Sequence, residues 1–177
     1  YISQDPLRLL GGKKLYGHVG NSNSEIDFLG LSSKPEWLSR LDDGNQFNTE
    51  QGANYSYNEL YVEKKDNGKK GGGKKPDGQK SYYRLDSYEP ESGKIVSRKF
   101  TQLAQIQEKT AIGYINELTN KYPVGAVIAD VPSSGSLAGL RLQGQLILEV
   151  PIQNAPIPKS VLKAADEAGV IIKEVAT

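Results

Sequence analysis

Tyr82-Tyr83-Arg84-Leu85-Asp86 and, after a short polar break, Ile95-Val96-Ser97-Arg98-Lys99 decide how this chain is read. Both runs carry aromatic and β-branched residues, and Pro90, Ser92 and Gly93 lie between them, so they read as two strands joined by a hairpin. Side chains alternate along a strand, which puts Ser97 and Lys99 on one face. If the strands pair, Asp86 lies beside that face. A carboxylate, a hydroxyl and an ammonium converging on one spot make a candidate metal-and-phosphate site.

Working outward, Tyr55 to Glu63 is aromatic and alternating, a strand or a helix end running into a strand. Thr101 to Lys121 has helical spacing, with Leu103, Ile106, Tyr114, Ile115 and Leu118 on one face, Thr101 as a cap and Pro123 as a stop. Gly125–Val131 reads as a buried strand, Pro132–Gly144 as a Ser- and Gly-rich loop, and Gln145–Ile152 as another strand. Pro158 opens a helix through Val161, Leu162, Ala165 and Ala168, Gly169 ends it, and Val170–Val175 is the last strand. The expected order is β-β-β-α-β-β-α-β, an α/β sandwich.

The chain has 177 residues and a net charge of +1, enough for one core plus an appendage and no global signal for nucleic acid. No apolar run is long enough to span a membrane, and no stretch reads as a secretory signal peptide. Cys and Met are both absent, and a chain that opens on Tyr1 without Met is expected to be a piece of a longer polypeptide. His18 is the only histidine. Beyond it, zinc sites of the Cys/His type, Ser–His–Asp and Cys–His catalysis, and a His general base are excluded. Chemistry there falls to carboxylates, Lys, Arg, Tyr and hydroxyls.

Residues 32–52 are polar, with Asp42-Asp43-Gly44-Asn45 as turn chemistry and Trp37, Leu38 and Leu41 in a short amphipathic turn, so they read as a linker. Lys64 to Lys80 is low in complexity, carrying Lys64, Lys65, Lys69, Lys70, Lys74, Lys75 and Lys80 around Gly71-Gly72-Gly73. It reads as a solvated hairpin tip or as a cationic arm for a polyanion. It contains no aromatic residue for base stacking.

The N-terminal stretch is Gly-rich and too short for its own core: Tyr1-Ile2-Ser3-Gln4-Asp5-Pro6-Leu7, Gly11-Gly12, Leu15-Tyr16-Gly17-His18-Val19-Gly20-Asn21 and Ile26-Asp27-Phe28-Leu29-Gly30-Leu31. It resembles the end of an Rhs repeat-associated core, with Arg8 and Phe28 where that family usually has Gly and Pro. The resemblance implies a β-cocoon shell that cuts itself after Leu31 using Asp5 and Asp27. A chain holding only this end of a shell is not expected to cut itself. The implied organisation is a shell tail over 1–31, a linker over 32–52 and a toxin domain over 53–177.

Within that domain, the element order with Asp86 on strand two and Ser97-x-Lys99 on strand three is similar to the PD-(D/E)xK nuclease core. Ser97 stands where that motif has an acidic residue. This looks like a Ser-x-Lys subgroup of contact-dependent growth-inhibition toxins, a likeness extended by Gln145–Pro151, Pro158 and its helix, Gly169 and the β-branched last strand. The fold expected from it is a restriction-endonuclease-like mixed sheet flanked by helices. The function expected is a metal-dependent DNase, with RNA as an alternative substrate, delivered by bacterial secretion machinery into a target-cell cytoplasm. Glu59 and Asp86 would hold Mg²⁺ or Mn²⁺, with Zn²⁺ compatible. Lys99 would orient water or neutralise phosphate charge, with Ser97 as a neutral ligand or hydrogen-bond donor. Gln102, Lys80 and Arg98 would meet substrate. The implied partner is a cognate immunity protein, acidic if it covers a basic cleft.

Singly, Asp86 also suits a turn, and a strand lysine also suits edge protection. Glu149 is a second acidic candidate. The alternative activity is an ADP-ribosyltransferase using Arg84 on NAD phosphates and Glu149 in catalysis. It is opposed by the lack of a Ser-Thr-Ser strand and of a Glu-x-Glu pair. The remaining alternative is a non-enzymatic binding module.

Overall fold

The computed structural model describes residues 35–64 and 81–176. Asp5, Asp27, Leu31 and Lys80 therefore lie outside the described residues. The chain divides into two compact units, Tyr1–Ser39 and Arg40–Thr177. The second is a mixed α/β fold: a five-stranded sheet flanked by helices.

Its elements are α1 (Glu36–Gly52, shared across the unit boundary), β1 (Tyr57–Glu63), β2 (Tyr82–Glu89), β3 (Lys94–Arg98), α2 (Glu108–Lys121), β4 (Gln145–Pro151), α3 (Lys159–Glu167) and β5 (Val170–Val175). The sheet runs β1-β2-β3-β4-β5 in chain order. The first three strands are antiparallel, as hairpin-linked strands must be, and β4 and β5 are parallel to β3. Each parallel pair needs a crossover, which α2 and α3 supply.

One core lies between the sheet and these two helices. Leu60, Val62, Leu85, Ile95, Leu146, Leu148 and Val150 meet Ala111, Ile115 and Leu118 of α2 and Val161 and Ala165 of α3. The opposite face carries a smaller cluster of Tyr55, Val96 and Ile147. On that side Asn48 of α1 bonds Arg98, and Phe47 packs on Phe100 with ring centres 5.4 Å apart.

Three expectations are corrected. The stretch read as a linker over 32–52, with a short amphipathic turn, holds the whole of α1. Burial of Phe47 and the Asn48–Arg98 bond outweigh the weak helix propensity of Asp42-Asp43-Gly44-Asn45. The helix expected from Thr101 starts at Glu108, because Gln153 claims the backbone before it: its Oε1 accepts from Leu103 N at 2.6 Å and its Nε2 donates to Thr101 O at 3.1 Å. Gly125–Val131 is not a full strand. It makes isolated bridges, Val62 to Ile128 and Val127 to Arg141, and so covers part of the outer edge of β1.

The β2–β3 turn closes against the start of β4. Gly144 has φ +120°, and an added Cβ would sit 2.1 Å from Gly93 O. Only glycine fits that approach.

Candidate functional site

The β2–β3 register places the site. Ser87 pairs with Val96 and Tyr88 with Ile95, so Asp86 falls opposite Ser97. Ser97 Oγ donates to Asp86 Oδ2 at 3.1 Å, and the Arg98 backbone N–H donates to the same oxygen at 2.6 Å. Asp86 Oδ1 accepts no hydrogen bond from the described residues. Lys99 lies one residue past β3, yet its N–H still bonds Glu149 O at 2.9 Å. The strand alternation therefore carries on, and Ser97 and Lys99 both face the α2 side.

α2 completes this corner. Lys99 Nζ lies 3.3 Å from Glu117 Oε2 and 5.3 Å from the centre of the Tyr114 ring. Glu117 also pairs with Lys121, one turn further on. Burial pushes the Glu117 carboxyl up, but its bond to Lys121 and the charge of Lys99 outweigh this and hold it below its ordinary value. Tyr122 follows the helix and donates its hydroxyl to Arg84 O. Its pKa is pushed up, first by burial, then by the negative charges of Asp86 and Glu117.

Glu59 is not brought to this cluster. The β1–β2 register puts it opposite Asp86, but it is the one non-glycine residue with positive φ among the described residues, at 57°. That left-handed backbone costs roughly 1 kcal/mol or more. It directs the carboxylate to Arg84 NH1 at 2.7 Å and to Asn48 Nδ2 at 3.4 Å, toward α1. Gln102 is spent on the chain: its amide donates to Ile152 O at 3.1 Å and accepts from Asn154 N at 2.8 Å.

Arg98 points away from Ser97 and Lys99, as alternation requires, so it does not meet the expectation of a substrate contact. Its side chain is 3% exposed and its Nε lies 2.9 Å from Glu149 Oε2. Its other nitrogens donate to Asn48 Oδ1 at 2.9 Å and Ser87 Oγ at 2.7 Å. Glu149 Oε1 also accepts from the Tyr55 hydroxyl and from Lys173 Nζ, the latter at 2.9 Å. Burial raises the Glu149 pKa, but bonds from Tyr55, Lys173 and Arg98 more than offset it and leave the group below its ordinary value. Tyr55 is correspondingly raised, by burial first and then by Glu149.

Sequence reading missed two things. Glu117 carries no sequence signal beyond an i,i+4 spacing to Lys121, which by itself suits a solvated pair. The Arg98–Glu149–Lys173 network joins three strands far apart in sequence, and only the register reveals it. Among the described residues no group of three or more His, Cys, Asp or Glu could hold a metal. The oxygens nearest that role are Asp86 Oδ1 and the Ser97 hydroxyl. Comparisons of the chain with protein-family models, curated proteins and solved structures found no match.

Proposed function

We propose that the Arg40–Thr177 unit is a metal-dependent nuclease domain of the PD-(D/E)xK type, acting on DNA with RNA as the second substrate class. The observation that carries this reading is the joint placement of Asp86, Ser97 and Lys99 on the α2 side of the sheet. The order of three antiparallel strands, a crossover helix and a parallel strand, with the acid on β2 and x-Lys at the end of β3, also supports it. An Rhs-type carrier, delivery into a target cell and a protecting immunity protein belong to the same proposal.

A hard divalent cation fits the donors. Mg²⁺ is commonly held by one or two carboxylates, with substrate phosphate completing its shell. Asp86 would hold it through Oδ1, with Ser97 beside it. When bound, it would lower the pKa of a coordinated water and polarise a phosphoryl oxygen. Ser97 and the Arg98 N–H fix the Asp86 carboxylate through Oδ2, so its free oxygen is pre-aimed. Lys99 supplies positive charge where the phosphate gains negative charge. Glu117 and Tyr114 hold Lys99 off the core.

The ADP-ribosyltransferase reading fares worse. Glu149 is buried, so it offers no surface to NAD, and Arg84 is paired with Glu59.

The test is incubation of the full chain with supercoiled plasmid and with total RNA, in Mg²⁺, Mn²⁺, Zn²⁺ or EDTA, beside Asp86→Ala and Lys99→Ala. Metal-dependent cleavage lost in both variants supports the reading. Intact nucleic acid under every metal sinks it, and NAD consumption becomes the next assay.

A further inference from the structure

Three lysines from three separate elements lie against tyrosine rings of β2 and α2, and one of them, Lys99, is two residues beyond Ser97, which bonds Asp86. Lys64 Nζ, just past β1, lies 4.8 Å from the centre of the Tyr83 ring, and Lys121 Nζ, in the last turn of α2, lies 5.6 Å from the same ring. Lys99, just past β3, lies 5.3 Å from the Tyr114 ring. Tyrosine faces hold ammonium groups in place without neutralising them. The Tyr83 ring is itself fixed edge-on against Tyr122, with centres 6.3 Å apart.

Among the described residues, Glu117 bridges two of these cations, Lys99 and Lys121. Lys99 and Lys121 share that one carboxylate, so the trio carries positive charge in excess. A phosphate has the charge and the acceptor oxygens to take the place of that carboxylate. The side chains of Lys99, Glu117 and Lys121 are 29%, 33% and 37% exposed, so a ligand can reach them.

We propose that Lys64, Lys121 and Lys99 form a track for the phosphate backbone of a nucleic-acid strand leading to Asp86, and that Glu117 is a built-in counterion holding the place of one phosphate. This rests on reading the site as one that handles phosphodiesters. It adds which groups grip the backbone and what the backbone displaces. Nothing in the track reads base edges, so recognition is independent of sequence.

The experiment is a salt titration of binding, followed by fluorescence anisotropy. The full chain is held in EDTA with a short labelled DNA duplex, the matching single DNA strand and the matching RNA strand. Lys64→Ala and Lys121→Ala should each flatten the slope of log affinity against log salt, by about 0.9 on duplex or about 0.7 on a single strand. Lys121→Arg should restore the slope, which a merely structural lysine would not require. Glu117→Gln should tighten binding roughly two- to fivefold, the size of an exposed ion pair released for the ligand. Lys163→Ala on α3, where the lysine pairs with Glu167, should leave the slope unchanged.

Unchanged slopes in Lys64→Ala and Lys121→Ala, or weaker binding by Glu117→Gln, would overturn the track even if the protein cleaves DNA. Slopes that fall as expected in a protein that cleaves nothing would uphold the track and overturn the nuclease reading alone. The three probes separate DNA from RNA and duplex from single strand.

Discussion

The two faces of the sheet both carry charge, and they use it in opposite ways. On the α1 side, Arg98 and Glu149 are 3% and 1% exposed, and their polar atoms are bonded to Asn48, Ser87, Tyr55 and Lys173. On the α2 side, Asp86 Oδ1 accepts no hydrogen bond among the described residues, and Lys99, Glu117 and Lys121 are about a third exposed. A saturated buried network has nothing left to offer a ligand; its contribution is to fix which strands pair. An unsaturated, accessible one is where a substrate can enter. The strand alternation that separates Arg98 from Ser97 and Lys99 assigns one run of five residues to both tasks.

The contrast has measurable consequences. The largest is expected on the closed face. Glu149→Ala leaves Arg98 and Lys173 without their buried partner and should destabilise the fold by about 3–5 kcal/mol in denaturant titration. A loss below 1 kcal/mol would mean that water reaches the network. Gly144→Ala should also be severe, since its Cβ meets backbone at 2.1 Å. Soluble protein with native melting from that variant would contradict the packing of the β2–β3 turn on β4.

On the open face the order reverses, with activity lost and stability kept. Ser97→Ala removes the donor to Asp86 and should lower cleavage by roughly tenfold or more, while Ser97→Glu, which restores an acid at that place, should retain it. Full activity in Ser97→Ala would remove Ser97 from the site.

Acid separates the faces as well. Glu149 and Glu117 have folded pKa values below their ordinary 4.5, so their contribution is complete above pH 4.5 and is lost as pH falls through the lower folded value. Lys173 is raised above 10.5, chiefly by its bond to Glu149, so its contribution holds below that pH and is lost as pH rises past the higher folded value. Melting temperature should therefore be flat between these limits with respect to this network. The acid fall should be shallower in Glu149→Gln than in the parent chain. The smallest effect expected is a gain: Gly113→Ala in α2, where an added Cβ meets nothing within 4 Å, should add about 0.8–1 kcal/mol and leave both faces unchanged.

β2, β3, β4, α3 and β5 were legible because each is a short run with its own punctuation, and Gly169 and Pro158 mark boundaries that the structure keeps. The shared direction of Ser97 and Lys99 was legible for the same reason, a period of two. α1 was not, because what holds it is tertiary: Phe47 beneath Phe100, and Asn48 on Arg98. The turn of Glu59 toward Arg84 and Asn48 was not legible, because a left-handed backbone cannot be read from residue types or from a resemblance. Glu117 was missed because a helical Glu–Lys pair looks solvated until Lys99 arrives from another element.

The most direct measurement pairs cleavage with melting in Asp86→Asn. Asparagine keeps the acceptor for Ser97 and the Arg98 N–H but removes the charge, so stability should change by less than about 1 kcal/mol. Abolished metal-dependent plasmid cleavage at an unchanged melting temperature is the expected result. Cleavage equal to the parent chain in the folded variant would contradict the assignment of the open face as the catalytic one.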